Sequence, residues 1–306
     1  MTKILIATEK PFAKVAVDGI REVSEAAGLE VVLLEKYTEK SQLLAAVADV
    51  DAIIIRSDKI DNEVFDAAKN LKIVVRAGAG YDNVDLAAAT AHNVVVMNTP
   101  GQNSNAVAEL VFGMLVFAVR NFYNGKAGTE LKGKKLGILA YGNVGRCVAR
   151  IAKGFDMDIY AYDAFCPAAA IEADGVKAVS SQDELFETCE VISLHIPATA
   201  ETRQSINYDL VNKLPHGAVL VNTARKEVIN EPELLKLMQE RADLRYVTDI
   251  MPDMDADFRT LEGRYFSTPK KMGAQTAEAN INAGVAAARQ IVAFFKEGCT
   301  RYQVNK

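Results

Sequence analysis

The sequence has few or none of the features that mark several protein classes. Among 306 residues there is no tryptophan, and there are only three histidines and four cysteines. Those cysteines (Cys147, Cys166, Cys189 and Cys299) form no CxxC pair and no zinc-ligand spacing, so we expect neither a disulfide scaffold nor a metal site. No apolar run approaches the roughly 20 residues that span a bilayer, so we expect no membrane segment.

Charge and composition exclude further classes. A net charge of −5 lacks the basic excess that binding to nucleic acid or to an anionic membrane requires. Apolar residues make up 50% of the chain and charged residues 25%, which is typical of a globular protein with a substantial core. The length fits about two domains. The N-terminus has a strand pattern without a signal-peptide apolar region, so we expect a protein of the reducing cytoplasm.

Short apolar runs alternate with helical patterns through the first third of the chain. We expect strands over 3–8, 31–36, 52–57, 72–78 and 94–98, and helices over 15–28, 41–50 and 62–70. This alternation predicts parallel strands joined by crossover helices, which is the α/β fold class.

A second series of strands follows a long helix expected over residues 103–123. The expected strands are 135–142, 158–163, 191–198, 218–224 and 245–251, and the later helices are 146–157, 181–189 and 277–298. The helix at 103–123 is apolar on nearly every side, which places it in a domain centre or at a subunit interface.

The most informative motif is Ala-Tyr-Gly-Asn-Val-Gly over residues 140–145, a GxGxxG fingerprint with alanine in place of its first glycine. It lies between an expected strand and an expected helix, and Asp163 ends the next strand. Gly142 would let the backbone approach a pyrophosphate, and Gly145 would let the helix pack on the strand. No arginine follows the acid, which favours NAD over NADP. The alanine would strain the turn if its position requires a positive φ.

Several blocks together resemble the D-2-hydroxyacid dehydrogenase family, and within it the members that oxidise 3-phospho-D-glycerate. The blocks are RAGAGYDNVDLAAA (76–89), MNTPGQNSNAVAEL (97–110), the long segment 130–163, SLHIPATAETR (193–203) and VNTARKEVINEPEL (221–234). The resemblance implies two Rossmann-like domains with parallel sheets. An NAD-binding domain (98–282) would be inserted into a discontinuous substrate-binding domain (1–97 plus 283–306), and the family implies a homodimer through the NAD-binding domain.

The resemblance also implies roles for individual residues. Arg225 matches the arginine that binds the carboxylate and keto oxygen of the substrate, a task for which a two-pronged guanidinium is suited. Asp249 matches the acid that contacts the nicotinamide amide. Further positions that match cofactor contacts are Gly142, Asn143, Val144, Gly145, Asp163, His195, Ile196, Pro197, Thr223 and Ala224.

One departure from the family concerns the base. The family has a histidine after a Thr-Pro pair, whereas here the pair at 268–269 is followed by Lys270 and Lys271, with one extra residue before Gly273. Counting from the two sides gives different lysines, so both remain candidates for the general acid/base. None of the three histidines is expected to carry the proton. A degenerate member without catalysis is the competing hypothesis.

A second departure concerns the glutamate that pairs with the family's histidine. Met254 occupies its position, and Asp253 remains as a candidate partner. The two departures fit together, because a carboxylate would raise a lysine's pKa further above about 10.4, whereas apolar surroundings lower it. We therefore expect a lysine that works in a less polar site.

Three cations resemble the family's substrate loops. Arg56, Lys59 and Arg76 would suit a phosphate if they converge, and the backbone amides of Ala77 and Gly78 would bind the substrate carboxylate. The leading expectation is therefore the NAD-dependent oxidation of a phosphorylated 2-hydroxy acid, 3-phospho-D-glycerate, at the entry to serine synthesis. The alternatives are a hydroxypyruvate or glyoxylate reductase and a non-catalytic NAD-sensing binding protein.

Overall fold

The computed structural model describes residues 1–305, and the chain divides in it into two compact units. Unit 1 consists of Met1–Asn103 together with the C-terminal residues from Thr276, and unit 2 is Ser104–Gln275. In sequence, unit 2 is therefore an insertion into unit 1. Each unit is built on one parallel sheet, which confirms the predicted α/β class with two Rossmann-like domains.

The strands of the two sheets are parallel throughout. They are β1 (Lys3–Thr8), β2 (Glu30–Glu35), β3 (Ala52–Ile55), β4 (Ile73–Arg76), β5 (Val95–Asn98), β6 (Lys135–Leu139), β7 (Asp158–Tyr162), β8 (Lys177–Ala178), β9 (Val191–Leu194), β10 (Val219–Asn222), β11 (Arg245–Thr248) and β12 (Tyr265–Ser267). The order in unit 1 is β2-β1-β3-β4-β5, and in unit 2 it is β12-β11-β10-β9-β6-β7-β8.

Helices connect the strands. They are α1 (Lys14–Glu25), α2 (Lys40–Val47), α3 (Asn62–Ala67), α4 (Leu86–Ala91), α5 (Ser104–Val119), α6 (Asn143–Gly154), α7 (Ala168–Glu172), α8 (Gln182–Thr188), α9 (Tyr208–Asn212), α10 (Glu231–Glu240), α11 (Asp255–Arg259) and α12 (Ala277–Glu297). Short 3₁₀ turns lie at Asn121–Tyr123 and Lys226–Val228. Within residues 1–305, no helix is both long enough and apolar enough to cross a membrane.

Strand β3 shows why the strands of unit 1 are uninterrupted apolar runs. Ile53 and Ile55 pack into one hydrophobic cluster, whereas Ala52 and Ile54 pack into another on the opposite face. All four are fully buried. A strand that is covered on both faces needs apolar residues at every position, so the run at 52–57 correctly predicted a central parallel strand.

Helix α5 ends earlier than its apolar pattern predicts. It stops at Val119, and the next turn, Asn121–Tyr123, has φ values of 54°, 53° and 54°, in the left-handed region. Arg245 supports this turn, because its Nη1 donates to the Ala118 carbonyl at 2.9 Å and its Nη2 to Asn121 Oδ1 at 2.6 Å. The prediction of a continuous helix to residue 123 is therefore wrong, and a distant arginine explains the difference.

Other helix ends lie close to where the sequence signals them. The Ser181 hydroxyl accepts a hydrogen bond from the Glu184 amide at the start of α8. Helix α12 begins after Thr276, whose side chain accepts from the Ala279 amide, and it ends at Gly298, which has a φ of 65°. These are the side-chain caps and left-handed glycine stops that terminate helices in general.

Candidate active site

The dinucleotide motif lies between β6 and α6, as predicted. Ala140 directly follows β6, and Gly142 is the N-cap of α6. The φ of Ala140 is 78°, in the left-handed region. The alanine therefore has the positive φ that was expected to strain the turn. For a residue with a Cβ, this conformation is higher in free energy by roughly 1–2 kcal/mol.

The two glycines of the motif have different surroundings. A Cβ on Gly145 would lie 2.5 Å from the Ala140 carbonyl oxygen and 3.0 Å from Ile138 Cγ2, so a side chain would force α6 away from β6. A Cβ on Gly142 would meet no atom within 4 Å. The N-terminus of α6 therefore faces open space beside a bare backbone, which is the arrangement that a dinucleotide's diphosphate requires.

Asp163 follows β7 and organises the neighbouring loop. Its Oδ2 accepts from the Tyr141 amide at 2.7 Å, and its Oδ1 accepts from the amides of Phe165 and Cys166 at 2.7 and 2.8 Å. A carboxylate has about four acceptor positions, so these three bonds leave capacity for a ribose hydroxyl. Asp163 thus also fixes the backbone of Tyr141, which lies between Ala140 and Gly142 in the motif.

His195 lies at the carboxyl end of β9, next to β6. Its Nε2 is 2.9 Å from the Ser193 hydroxyl, and burial lowers the pKa of the imidazole to about 3. It is therefore neutral near pH 7 and unsuited to carry a proton there. The crevice between the ends of β6 and β9 is where the strand order reverses, which is where such sheets bind ligands.

The remaining predicted cofactor positions also follow β6, β9 and β10. Asn143 is exposed and Val144 partly buried at the start of α6, while Ile196 and Pro197 follow His195. Thr223 and Ala224 follow β10 and are buried, and the Thr223 hydroxyl has no hydrogen-bond partner within residues 1–305. All of these positions lie at the carboxyl edge of the sheet of unit 2.

Asp249 directly follows β11 and is fully buried. Its Oδ2 accepts from the Gly273 amide at 2.7 Å, whereas Oδ1 has no hydrogen-bond partner in the described part of the chain. Burial raises the pKa of this carboxyl, and the charges of Lys271 and Arg225 oppose that effect. A buried acceptor without a donor fits the nicotinamide amide, which would supply an N–H.

Lys271 and Arg225 meet at one atom. The Lys271 Nζ and the Arg225 Nη1 each donate to the Ala224 carbonyl oxygen at 2.9 Å. Asn222 fixes that carbonyl, because its Oδ1 accepts from the Ala224 amide and its Nδ2 donates to the Arg225 carbonyl. The structure therefore brings Lys271 and Arg225 together. Both are also close enough to Asp249 for their charges to lower the pKa of its carboxyl.

Lys270 has a different environment. Both lysines are exposed, but at Lys270 the printed contact is made by the backbone, whose carbonyl accepts from the Thr268 hydroxyl at 2.7 Å. Of the two lysines that the sequence left open, the structure thus places Lys271 rather than Lys270 at the Ala224 carbonyl.

The structure places Asp253 and Met254 differently from the sequence hypothesis. The Asp253 carboxylate pairs with Lys226 and is 77% exposed, so its partner is not the lysine at position 270 or 271. Met254 packs against the hydrophobic cluster under α10, and its amide and that of Asp253 donate to the Glu231 carboxylate. These backbone hydrogen bonds to Glu231 hold the loop in place.

In unit 1, Arg56 is committed to contacts within the protein. Its Nη1 donates to the carbonyls of Lys10 and Pro11 at 3.0 and 3.2 Å, and its Nη2 donates to Asn280 Oδ1 at 2.6 Å. The guanidinium also lies 5.3 Å from the Phe12 ring centre. Arg56 therefore braces the loop after β1 against the first turn of α12.

The other predicted substrate contacts of unit 1 are also partly committed. Lys59 is 81% exposed and lies 3.8 Å from Asp61. Arg76 Nε donates to the Arg56 carbonyl at 2.9 Å, and its guanidinium occupies the space that a Cβ on Gly78 would need. The amides of Ala77 and Gly78 donate to the carbonyls of Ile55 and Arg76, so these two amides are already bonded.

Asp58 is a residue whose importance the sequence did not reveal. Its side chain is 3% exposed and accepts from the Glu9 amide at 2.7 Å, the Tyr37 hydroxyl at 2.9 Å and the Arg56 amide at 3.2 Å. It thereby joins the loops after β1, β2 and β3. The only sequence signal is an acid directly between Ser57 and Lys59, which also suits an ordinary surface loop.

Comparison with known proteins identifies unit 2. Residues 116–262 match the family model of the D-isomer specific 2-hydroxyacid dehydrogenase NAD-binding domain. The chain is 34% identical to a D-3-phosphoglycerate dehydrogenase of Methanocaldococcus jannaschii, over 95% of this chain and 57% of that protein. It thus spans little more than half the length of that relative. Unit 2 carries the NAD-binding domain, so the cofactor is NAD.

Two further proteins are matched over nearly their whole length. The chain is 34% identical to a hydroxypyruvate reductase of Thermotoga maritima, over 88% of this chain and 91% of the relative. It is 50% identical to the NAD⁺-bound 3-phosphoglycerate dehydrogenase of Entamoeba histolytica in its crystal structure, with a TM-score of 0.87 and coverage of 100% and 99%. This chain is therefore a member of the D-isomer specific 2-hydroxyacid dehydrogenase family.

Proposed function

We propose that this chain oxidises 3-phospho-D-glycerate to 3-phosphooxypyruvate with NAD, at the entry to serine synthesis. The observation that carries the proposal is the meeting of Lys271 and Arg225 at the Ala224 carbonyl, with their charges acting on the buried Asp249. Oxidation of a 2-hydroxy acid needs a cation for the carboxylate and a group that accepts the hydroxyl proton. The names of the Methanocaldococcus and Entamoeba relatives support the phosphorylated substrate.

Arg225 would hold the substrate. Its Nη1 is bonded to the Ala224 carbonyl, which leaves other N–H groups of the guanidinium for a carboxylate and the adjacent C2 oxygen. As the hydroxyl loses its proton, negative charge grows on that oxygen, and a guanidinium already in place stabilises it. Asn222 contributes by fixing the backbone on both sides of the Ala224 carbonyl.

Lys271 would accept the hydroxyl proton. A base must lie within reach of the proton that it accepts, and Lys271 is held beside Arg225, the residue that would hold the substrate oxygen. The less polar surroundings expected for the lysine are not found, because Lys271 is exposed. The Ala224 carbonyl gives the amine a fixed position from which to receive the proton.

The residues of unit 2 fit the cofactor. NAD supplies the chemistry of accepting a hydride from C2 of the substrate. Asp249 Oδ1 would accept a hydrogen bond from the nicotinamide amide, and the Gly273 amide holds the other carboxylate oxygen in place. The amides at the start of α6 would bind the diphosphate, and Asp163 would bind the adenosine ribose.

A hydroxypyruvate or glyoxylate reductase is the second candidate. It is favoured by the Thermotoga relative. It is also favoured by the ion pair of Lys59 with Asp61, because that pair leaves one cation fewer to bind a substrate phosphate. A non-catalytic NAD-sensing protein is the remaining alternative. It would bind the cofactor without turnover.

The decisive experiment is an assay of the purified chain with NAD and NADH over matched substrates. We expect NADH formation with 3-phospho-D-glycerate, and a much lower kcat/KM with D-glycerate. Activity confined to hydroxypyruvate and glyoxylate would contradict the substrate assignment. Binding of NADH, detected by its fluorescence, without turnover of any substrate would contradict the enzymatic proposal altogether.

We also propose a homodimer formed through unit 2 and a cytoplasmic location. Tyr123, at the left-handed turn that follows α5, is 66% exposed beside Phe117, an apolar surface that a partner would cover. The four cysteines are free thiols, which suits a reducing compartment. Sedimentation equilibrium would test the dimer, and a monomer at micromolar concentration would contradict it.

A further inference from the structure

A cavity lies in unit 2 between helix α6 and the residues that follow α7. Its volume is about 520 Å³, which is within the range that small-molecule ligands occupy. The lining of this α6–α7 cavity includes Tyr141, Arg146, Arg150, Lys153 and Asp174. The side chains of these residues have no part in the proposed reaction.

Three of the lining residues are cations on one face of α6. Arg146, Arg150 and Lys153 are separated by four and three positions, so their side chains follow one another along the helix. All three residues are exposed. Among the described residues that line the cavity, Asp174 is the one acid, so positive charges exceed negative charges by two in a chain whose net charge is −5. Such a local excess of positive charge attracts anions.

The carboxylate of Asp174 neutralises one of these cations. It forms an ion pair with Arg146, whereas Lys153 Nζ donates to the backbone carbonyl of Asp174 at 2.5 Å. Arg150 Nη2 donates to Asn105 Oδ1 at 2.5 Å. Within residues 1–305, Arg150 and Lys153 thus make hydrogen bonds to neutral oxygens but no ion pair, and their charges remain unbalanced.

Tyr141 gives an independent indication of a ligand. Its side chain is 2% exposed, and its hydroxyl has no hydrogen-bond partner in the part of the chain that the structure describes. Burial and the charge of Asp174 raise the pKa of this hydroxyl to about 12, so it keeps its proton near neutral pH. A buried donor without an acceptor is unfavourable, and an anion in the cavity would supply the acceptor.

We infer that the α6–α7 cavity binds the phosphate group of a small molecule, with Arg150 and Lys153 supplying positive charge and the Tyr141 hydroxyl donating a hydrogen bond. A phosphate group has three strong acceptor oxygens and a charge of about −1.5 to −2 at pH 7, which matches the excess charge of the lining. The helix residues that line the cavity begin at Arg146, after the segment Gly142–Gly145 that is assigned to the diphosphate of NAD.

The test is titration calorimetry of the NADH-saturated chain with two probes, inorganic phosphate and glycerol 2-phosphate, at constant ionic strength set with sodium chloride. We expect Arg150→Gln and Lys153→Gln each to weaken binding roughly fivefold. Lys236→Gln is the matched control, because Lys236 is an exposed lysine on α10 that makes no ion pair within residues 1–305, and it should leave the affinity unchanged. The probe that binds more tightly identifies the ligand as free phosphate or as a phosphate ester.

Tyr141→Phe separates a ligand contact from a structural role. The variant should weaken phosphate binding roughly fivefold, and without phosphate it should melt at the parent temperature or above it, because the lost hydroxyl has no partner. A clearly lower melting temperature would show that the hydroxyl is bonded within the protein, which contradicts the inference.

The proposed active site would also bind a phosphorylated molecule, so only the binding that the cavity variants lose is assigned to the cavity. Equal affinity in the parent, Arg150→Gln and Lys153→Gln would overturn the inference. An equal loss in Lys236→Gln, or no measurable binding to the parent, would do so as well.

Discussion

Lys271 and Arg225 donate to the same backbone oxygen, that of Ala224, at 2.9 Å each. Their nitrogen atoms are therefore no farther apart than twice that distance. A single carbonyl thus places the proposed proton acceptor, Lys271, next to the proposed carboxylate receptor, Arg225.

The two lysines should behave differently when each is replaced. Lys271→Ala removes the proposed base and should lower kcat by about 10²- to 10⁴-fold, whereas Lys270→Ala should stay near the parent. NADH affinity, measured by fluorescence titration, should be the same in both variants. Near-parent rates in both would exclude a lysine base, and a loss confined to Lys270→Ala would assign the role to the other residue.

Asp249→Asn should separate stability from cofactor binding. Burial raises the pKa of this carboxyl above 3.8, so its contribution to stability is present at low pH and is lost as the pH rises through the folded-state value. At neutral pH the variant should therefore melt at the parent temperature or above it. The asparagine N–H₂ would face the nicotinamide amide, so the Kd for NADH should rise about tenfold.

Calorimetry at pH 8 and NADH titration measure the two effects. A clear drop in melting temperature would show that the carboxylate stabilises the fold at this pH. Unchanged NADH affinity would remove Asp249 from the cofactor site.

His195 should make the protein less stable in mild acid. Burial lowers its pKa in the folded protein from 6.5 to about 3, so the unfolded chain binds a proton that the folded chain refuses. Its effect on stability is absent above about pH 6.5 and grows as the pH falls toward 3. Urea unfolding of the parent should show lower stability at pH 5 than at pH 8, and His195→Asn should reduce the difference. The same difference in both proteins would assign it to other groups.

Replacing the alanine of the dinucleotide motif should stabilise unit 2. Ala140→Gly relieves a φ of 78°, and after the greater freedom of glycine in the unfolded chain is counted, the net gain should be about 0.5–1 kcal/mol. Gly145→Ala should do the reverse, because its Cβ would lie 2.5 Å from the Ala140 carbonyl oxygen. Thermal melts of both variants provide the check, and a destabilised Ala140→Gly would show that the turn is not strained.

Local patterns predicted most of the fold. The β-branched run over 52–57 became β3, the Ser181 and Gly298 signals lie at helix ends, and the 140–145 motif joins β6 to α6. Each of these depends on residues within a few positions of one another. Where a distant residue intervened, as Arg245 does at the turn after α5, the local pattern overestimated the helix.

The candidate site was predictable in type but not in arrangement. Two adjacent lysines in one loop have nearly the same local context, and only the carbonyl of Ala224, 47 positions away, distinguishes them. The sequence predicts Arg56 as a substrate cation, but its hydrogen bond to Asn280, 224 positions away, could not be predicted from the local pattern.

The sequence by itself determined the fold class, the place of the dinucleotide loop and the family. Periodicity and motif spacing are local properties, so they can be recognised without the three-dimensional structure. Tertiary structure decided that Lys271 meets Arg225, that Asp253 turns to Lys226 and that Asp58 binds three loops. The physical reason is that a charged side chain goes to the partner that folding brings within hydrogen-bond distance, and that partner is set by the packing of whole strands and helices.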